Sequence, residues 1–130
     1  LHNESGKFES AFLGVQIPKN NSIMLGSLEG MNLGIWVAHG EGKFSLPQPE
    51  NDYHIAAKFS HSTYPANPNG SDNDVAALCS KDGRHLVMMP HLERAYLPWQ
   101  CGYYPDERKK DEATPWLEAF VNARKWIESR

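Results

Sequence analysis

Two short apolar runs, residues 74–80 and 85–89, flank the tetrapeptide Lys81-Asp82-Gly83-Arg84. An Asp-Gly pair between such runs makes a tight turn, and the strands on either side must pair antiparallel. No other local constraint in the chain is as strong, because it fixes where the second strand points. Leu86-Val87-Met88-Met89 reads as a short buried strand, and Pro90 ends it, since proline has no N–H for a sheet ladder. Just past that end stand His91 and Glu93. In extended backbone, residues i and i+2 point the same way, about 6–7 Å apart. A glutamate spans that gap and accepts a hydrogen bond from the imidazole, whereas on a helix the pair would diverge. An imidazole and its orienting carboxylate are two members of a catalytic triad. The tip of a buried strand is where α/β enzymes place reactive groups. The nucleophile has to come from elsewhere. A lone His-x-Glu is more often a surface pair than a catalytic one, so the rest of the chain must decide.

Other elements follow from periodicity and punctuation. Residues 8–17 alternate as a strand, closed by the turn Pro18-Lys19-Asn20-Asn21. Residues 22–25 are a short apolar piece, and 26–32 a loop with two glycines. Leu33-Gly34-Ile35-Trp36-Val37-Ala38 is a continuous apolar run, expected to be a buried strand. It stops at His39-Gly40-Glu41-Gly42, a second histidine and glutamate among glycines that let backbone approach a ligand. The same turn could equally lead a hairpin into Lys43-Phe44-Ser45. Residues 46–50 form a loop and 53–59 a strand. Pro65, Asn67, Pro68, Asn69 and Gly70 exclude helix and central strand from 61–70. Loops of that length are often functional, although a structural turn is the default. Residues 96–113 are irregular. The last element is a helix capped by Thr114, with Pro115 at its first position and Asp111 and Glu112 near its positive end. Trp116, Leu117, Phe120, Val121, Arg124 and Ile127 form one expected apolar face, Arg124 through its aliphatic stem.

With 130 residues the chain is one domain, at roughly 100–200 residues per domain. Its net charge is −3 with acids and bases interleaved, so there is no basic stripe for nucleic acid. Residues 107–112 are mixed in sign and read as a solvated loop. No apolar run of about 18 residues suggests a membrane span, and no signal peptide is visible. The two cysteines cannot make a disulfide framework, which points to a reducing, cytoplasmic setting. The chain opens on Leu1 and a polar segment, as if inside a longer protein.

Six histidines and two cysteines raise the question of zinc, but there is no Cys-x-x-Cys and no His-x-x-x-His on a helix. No metal site is expected. Cys79 lies within a strand as a small hydrophobe, and Cys101 in a loop after Trp99. Neither sits on the strand–turn–helix elbow of a nucleophile. Gly26, Gly30 and Gly34 are spaced wrongly for phosphate or dinucleotide loops.

Four stretches then occur in a telling order: Trp36-Val37-Ala38-His39-Gly40-Glu41-Gly42, Tyr64-Pro65-Ala66-Asn67-Pro68-Asn69-Gly70-Ser71, Met89-Pro90-His91-Leu92-Glu93-Arg94, and Trp116-Leu117-Glu118-Ala119-Phe120-Val121-Asn122-Ala123-Arg124. With the opening Asn3-Glu4-Ser5-Gly6-Lys7-Phe8-Glu9, they resemble the C-terminal part of phosphoribosylformylglycinamidine synthases. The resemblance spans essentially the whole chain. It implies an α/β fold: part of a flavodoxin-like class I glutamine amidotransferase domain, here a strand-rich fragment with a C-terminal helix. All of 1–130 would be the C-terminal portion of that domain.

By that resemblance His91 is the catalytic histidine and Glu93 its partner in a Cys-His-Glu triad. The family's cysteine lies upstream on a Gly-x-Cys-x-Gly-x-Gln elbow, which this chain lacks. The family more usually has proline where Leu92 stands, a position with no reacting atom. The implied chemistry is glutamine hydrolysis, with the ammonia passed to a distant site that uses ATP and Mg to amidate formylglycinamide ribonucleotide. No cofactor is expected in the fragment itself. The implied partners are glutamine and the remainder of the synthase chain. Residues His39, Gly40 and Glu41 would lie beside the glutamine pocket, and the 64–71 loop would face the synthase body. A half domain exposes sheet edge and core face, which favours self-association. The alternative class is a non-catalytic β-rich interaction module, which would hold His91 and Glu93 apart or facing solvent separately.

Overall fold

In a computed structural model, which describes all of residues 1–130, the Asp82-Gly83 turn joins two antiparallel strands as expected. Gly83 adopts φ +72°, and a Cβ there would collide with the Asn21 carbonyl. The strands are β1 (Glu9–Gln16), β2 (Asn32–His39), β3 (His54–Phe59), β4 (Val75–Cys79) and β5 (Leu86–Met88), followed by the helix α1 (Trp116–Glu128). They form one five-stranded sheet in the order β2-β1-β3-β4-β5, with every pairing antiparallel. Past β5 the chain returns to the outer edge of β2, where the His91 N–H donates to the Trp36 carbonyl at 2.8 Å. The sheet therefore curls until its two ends approach each other.

The β1–β2 register explains the continuous apolar run in β2. Val15, Ile35 and Val37 face the core. On the opposite face Phe12 lies against Trp36, their ring centroids 5.1 Å apart. The Phe12 ring also covers Gly34, where any side chain would collide with it. The turn after β2 does not lead into a hairpin with 43–45, because β2 takes β1 as its partner. The strand reading of Leu86–Met88 holds, but its burial does not: Val87 is 58% exposed because β5 is an edge strand.

The helix begins where expected, with the Thr114 hydroxyl accepting the Trp116 N–H at 3.3 Å and donating to the Ala95 carbonyl at 2.6 Å. Pro115 occupies the cap position itself. Its buried face differs from the expected one. Trp116 and Ala119 are buried, with Ala123 and Trp126 half-buried behind them, while Leu117, Phe120, Val121 and Ile127 remain exposed. The inward stripe runs i, i+3, i+7, i+10 and uses small alanines, which let the helix approach the sheet closely. The Trp116 indole N–H anchors it to the Gly34 carbonyl at 2.8 Å.

Candidate active site

His91 sits in extended backbone, but Glu93 already belongs to a short 3₁₀ turn, Leu92–Arg94. The expectation of an extended His-x-Glu is thus corrected, because the backbone bends between the two residues. The side chains still meet: His91 Nδ1 lies 2.8 Å from Glu93 Oε1. A carboxylate only accepts, so Nδ1 carries the proton, and in the neutral ring Nε2 keeps the lone pair. Buried Leu92 pins the turn from below. The interaction-module alternative required the pair apart or facing solvent separately, and the two are joined instead.

Burial raises the Glu93 carboxyl, but the His91 hydrogen bond and charge, with Arg94, pull it below the usual value. Nε2 of His91 is buried and has no partner.

His39 ends β2 with its ring stacked on that of His91, the centroids 5.1 Å apart and the planes 25° apart. It is only 8% exposed. Neither of its ring nitrogens has a hydrogen-bond partner. Burial first, and then the neighbouring His91, hold its pKa below the ordinary 6.5. An unfolded His39 therefore takes up a proton before the folded one does as pH falls. Stability is untouched by this group above pH 6.5 and declines below it. The urea midpoint of the chain should fall between pH 7.5 and 5.5, and by less in a His39→Phe variant; equal falls would refute this origin.

The turn after β2 is held by Asn3, a residue of the polar opening segment. Asn3 is 4% exposed and its side chain makes four hydrogen bonds. Its amide donates to the carbonyls of Lys7 at 2.8 Å and His39 at 2.6 Å. Its oxygen accepts from the Gly42 N–H at 2.9 Å and Asn69 Nδ2 at 2.8 Å. A Cβ at Gly42 would lie 2.5 Å from Asn69 Nδ2, so only glycine fits. Asn67 and Ser71 add a second buried exchange, the Asn67 amide donating to the Ser71 carbonyl at 2.9 Å and the Ser71 N–H donating back at 3.1 Å. The 61–70 loop thus packs beneath the His39–Gly42 turn. Gly40 is half-buried, whereas Glu41 points outward and meets His2 at 3.3 Å.

The buried side-chain polar atoms without a partner are Glu9 Oε1, Asn69 Oδ1, both ring nitrogens of His39 and His91 Nε2. All gather at one end of the curled sheet, since Glu9 pairs with His39 across β1 and β2 and Asn69 bonds to Asn3. Glu9 and Asn69 were not singled out from sequence. The strand period could have found Glu9, and the Asn-x-Asn-Gly spacing in a long loop could have flagged Asn69.

Neither cysteine joins this cluster. Cys79 lies at the opposite end of the β4–β5 hairpin, its thiol on Asn21. Cys101 points to the carbonyls of Ala95 and Leu97. Burial pushes both thiols up, away from the thiolate a nucleophile needs.

Residues 1–127 match the CobB/CobQ-like glutamine amidotransferase domain. A probable phosphoribosylformylglycinamidine synthase of Arabidopsis thaliana is 44% identical over 147 residues, covering 99% of this chain and 10% of the relative. The human phosphoribosylformylglycinamidine synthase is 41% identical over 137 residues, covering 96% of this chain and 10% of the relative. The chain thus spans about a tenth of the length of these relatives. In the structure of PurLQS from Thermotoga maritima, one chain shares the fold with a TM-score of 0.70 at 22% identity, over 98% of this chain and 51% of that one.

Proposed function

The chain belongs to the CobB/CobQ-like glutamine amidotransferase family, and from that premise we propose that it carries the base and orienting acid of a glutaminase site. The observation that carries this reading is His91: Nδ1 is held by Glu93, and Nε2 is buried with nothing to bond. A cysteine thiol supplied from outside residues 1–130 would complete the triad. Its thiolate attacks the carboxamide carbon of glutamine. Nε2 of His91 takes the thiol proton and returns it to the departing ammonia. Glu93 holds the ring tautomer and stabilises the imidazolium that forms in between. The turn carrying His39, Gly40 and Glu41 borders the glutamine pocket.

The similarity to phosphoribosylformylglycinamidine synthases supports a more specific reading. Ammonia released here would pass to a separate ATP- and Mg-dependent site of the same polypeptide, which amidates formylglycinamide ribonucleotide. The 64–71 loop, with Tyr64 exposed, would face that body.

The test is ammonia release from glutamine. The 130-residue chain by itself should release none above background. Adding the cysteine-bearing remainder of the synthase should restore release. Release by the chain alone that disappears in His91→Ala would sink the proposal that the nucleophile lies elsewhere.

A further inference from the structure

We propose that His39 is a positioning residue for the His91 base, its flat ring fixing the plane of the His91 imidazole. The bond to Glu93 sets where Nδ1 lies, but it leaves the ring free to tilt about that contact. Glu93 is itself an exposed anchor, with its side chain 56% exposed and shared with Arg94 at 3.9 Å. A surface against the ring face is the missing constraint, and the stacked His39 supplies it. His39 can serve as that surface because its own place is fixed. It ends a strand whose β1 partner is in register to the last residue, and Asn3 holds its carbonyl at 2.6 Å. The Met89 backbone and the Asn69 side chain flank its ring edge without reaching hydrogen-bond geometry.

Burial keeps His39 uncharged at neutral pH, so it presents a neutral face to an imidazolium formed at His91. The catalytic consequence rests on the glutaminase reading above, whereas the effect on ring order does not.

Two substitutions separate the ring plane from its nitrogens. His39→Phe keeps a flat surface, and His39→Leu keeps apolar volume without one. The first readout is the His91 Nδ1–H proton resonance of the 130-residue chain, protected by Glu93. The Trp116 indole resonance reports that the sheet still packs. The His91 signal should persist in His39→Phe and broaden beyond detection in His39→Leu. The second readout is glutamine hydrolysis by the assembled enzyme. His39→Leu should lower kcat about tenfold or more with KM changed less than twofold, and His39→Phe should recover to within about threefold of the parent. Three results would overturn the proposal: Leu behaving like the parent, Phe failing alongside Leu, or a rise in KM at unchanged kcat, which would make His39 a glutamine contact. If the resonances behave as expected but no ammonia release depends on His91, the glutaminase reading falls and the positioning role stands.

Discussion

On the glutaminase reading proposed above, replacing His91 by alanine is expected to lower glutamine-dependent turnover of the assembled synthase by about 10²–10⁴-fold, the usual contribution of a positioned acid–base group. Turnover supported by added ammonium should persist, because that route needs no thiol proton moved. The asymmetry follows from the geometry. His91 is held by its backbone bonds to Trp36 and Arg94, its Nδ1 bond to Glu93 and its stacked face. Removing the imidazole therefore deletes the buried lone pair while leaving the Trp36 contact, which is main chain on both sides. Comparing the two nitrogen sources in one preparation controls for misfolding. Equal losses with glutamine and with ammonium would make His91 a structural residue.

Asn3→Ala is the second substitution with a large expected effect, this time on stability. It strands the Gly42 N–H, the Asn69 amide and the His39 carbonyl in the interior. Each buried polar group left unpaired costs about 1–3 kcal/mol. A loss of about 3 kcal/mol or more is expected in urea unfolding of the chain, with a parallel loss of the His39–His91 stacking. A loss under about 1 kcal/mol would show that water replaces Asn3 freely. Asn3 lies far from His91 in sequence, so combined loss of fold and site would mark the network as one unit.

The features legible in the sequence were those fixed by local chemistry. The Asp82-Gly83 turn, the stop at Pro90 and the Thr114 start of the helix each depend on a few adjacent residues, and each occurs where expected. The His91–Glu93 pair was legible for the same reason, although the bend into the 3₁₀ turn was not. The helix face was misjudged because the pattern favours large apolar residues. The sheet instead received Ala119 and Ala123 and left Leu117, Phe120 and Val121 outside. Asn3 and Asn69 were missed because polar residues in loops read as solvated, while their partnership joins positions 66 residues apart. The approach of His39 to His91 was equally hidden. It arises from the curl that carries the end of β5 round to the edge of β2, and no residue near either histidine announces it.

The bond that closes this curl, from the His91 amide to the Trp36 carbonyl, has a consequence for assembly. Glu93 and His39, the two side chains seated against the His91 ring, both come from these 130 residues. On the glutaminase reading proposed above, a thiol arriving from another segment would meet an imidazole whose tautomer and tilt are already set, leaving less entropy to be lost when the two surfaces touch.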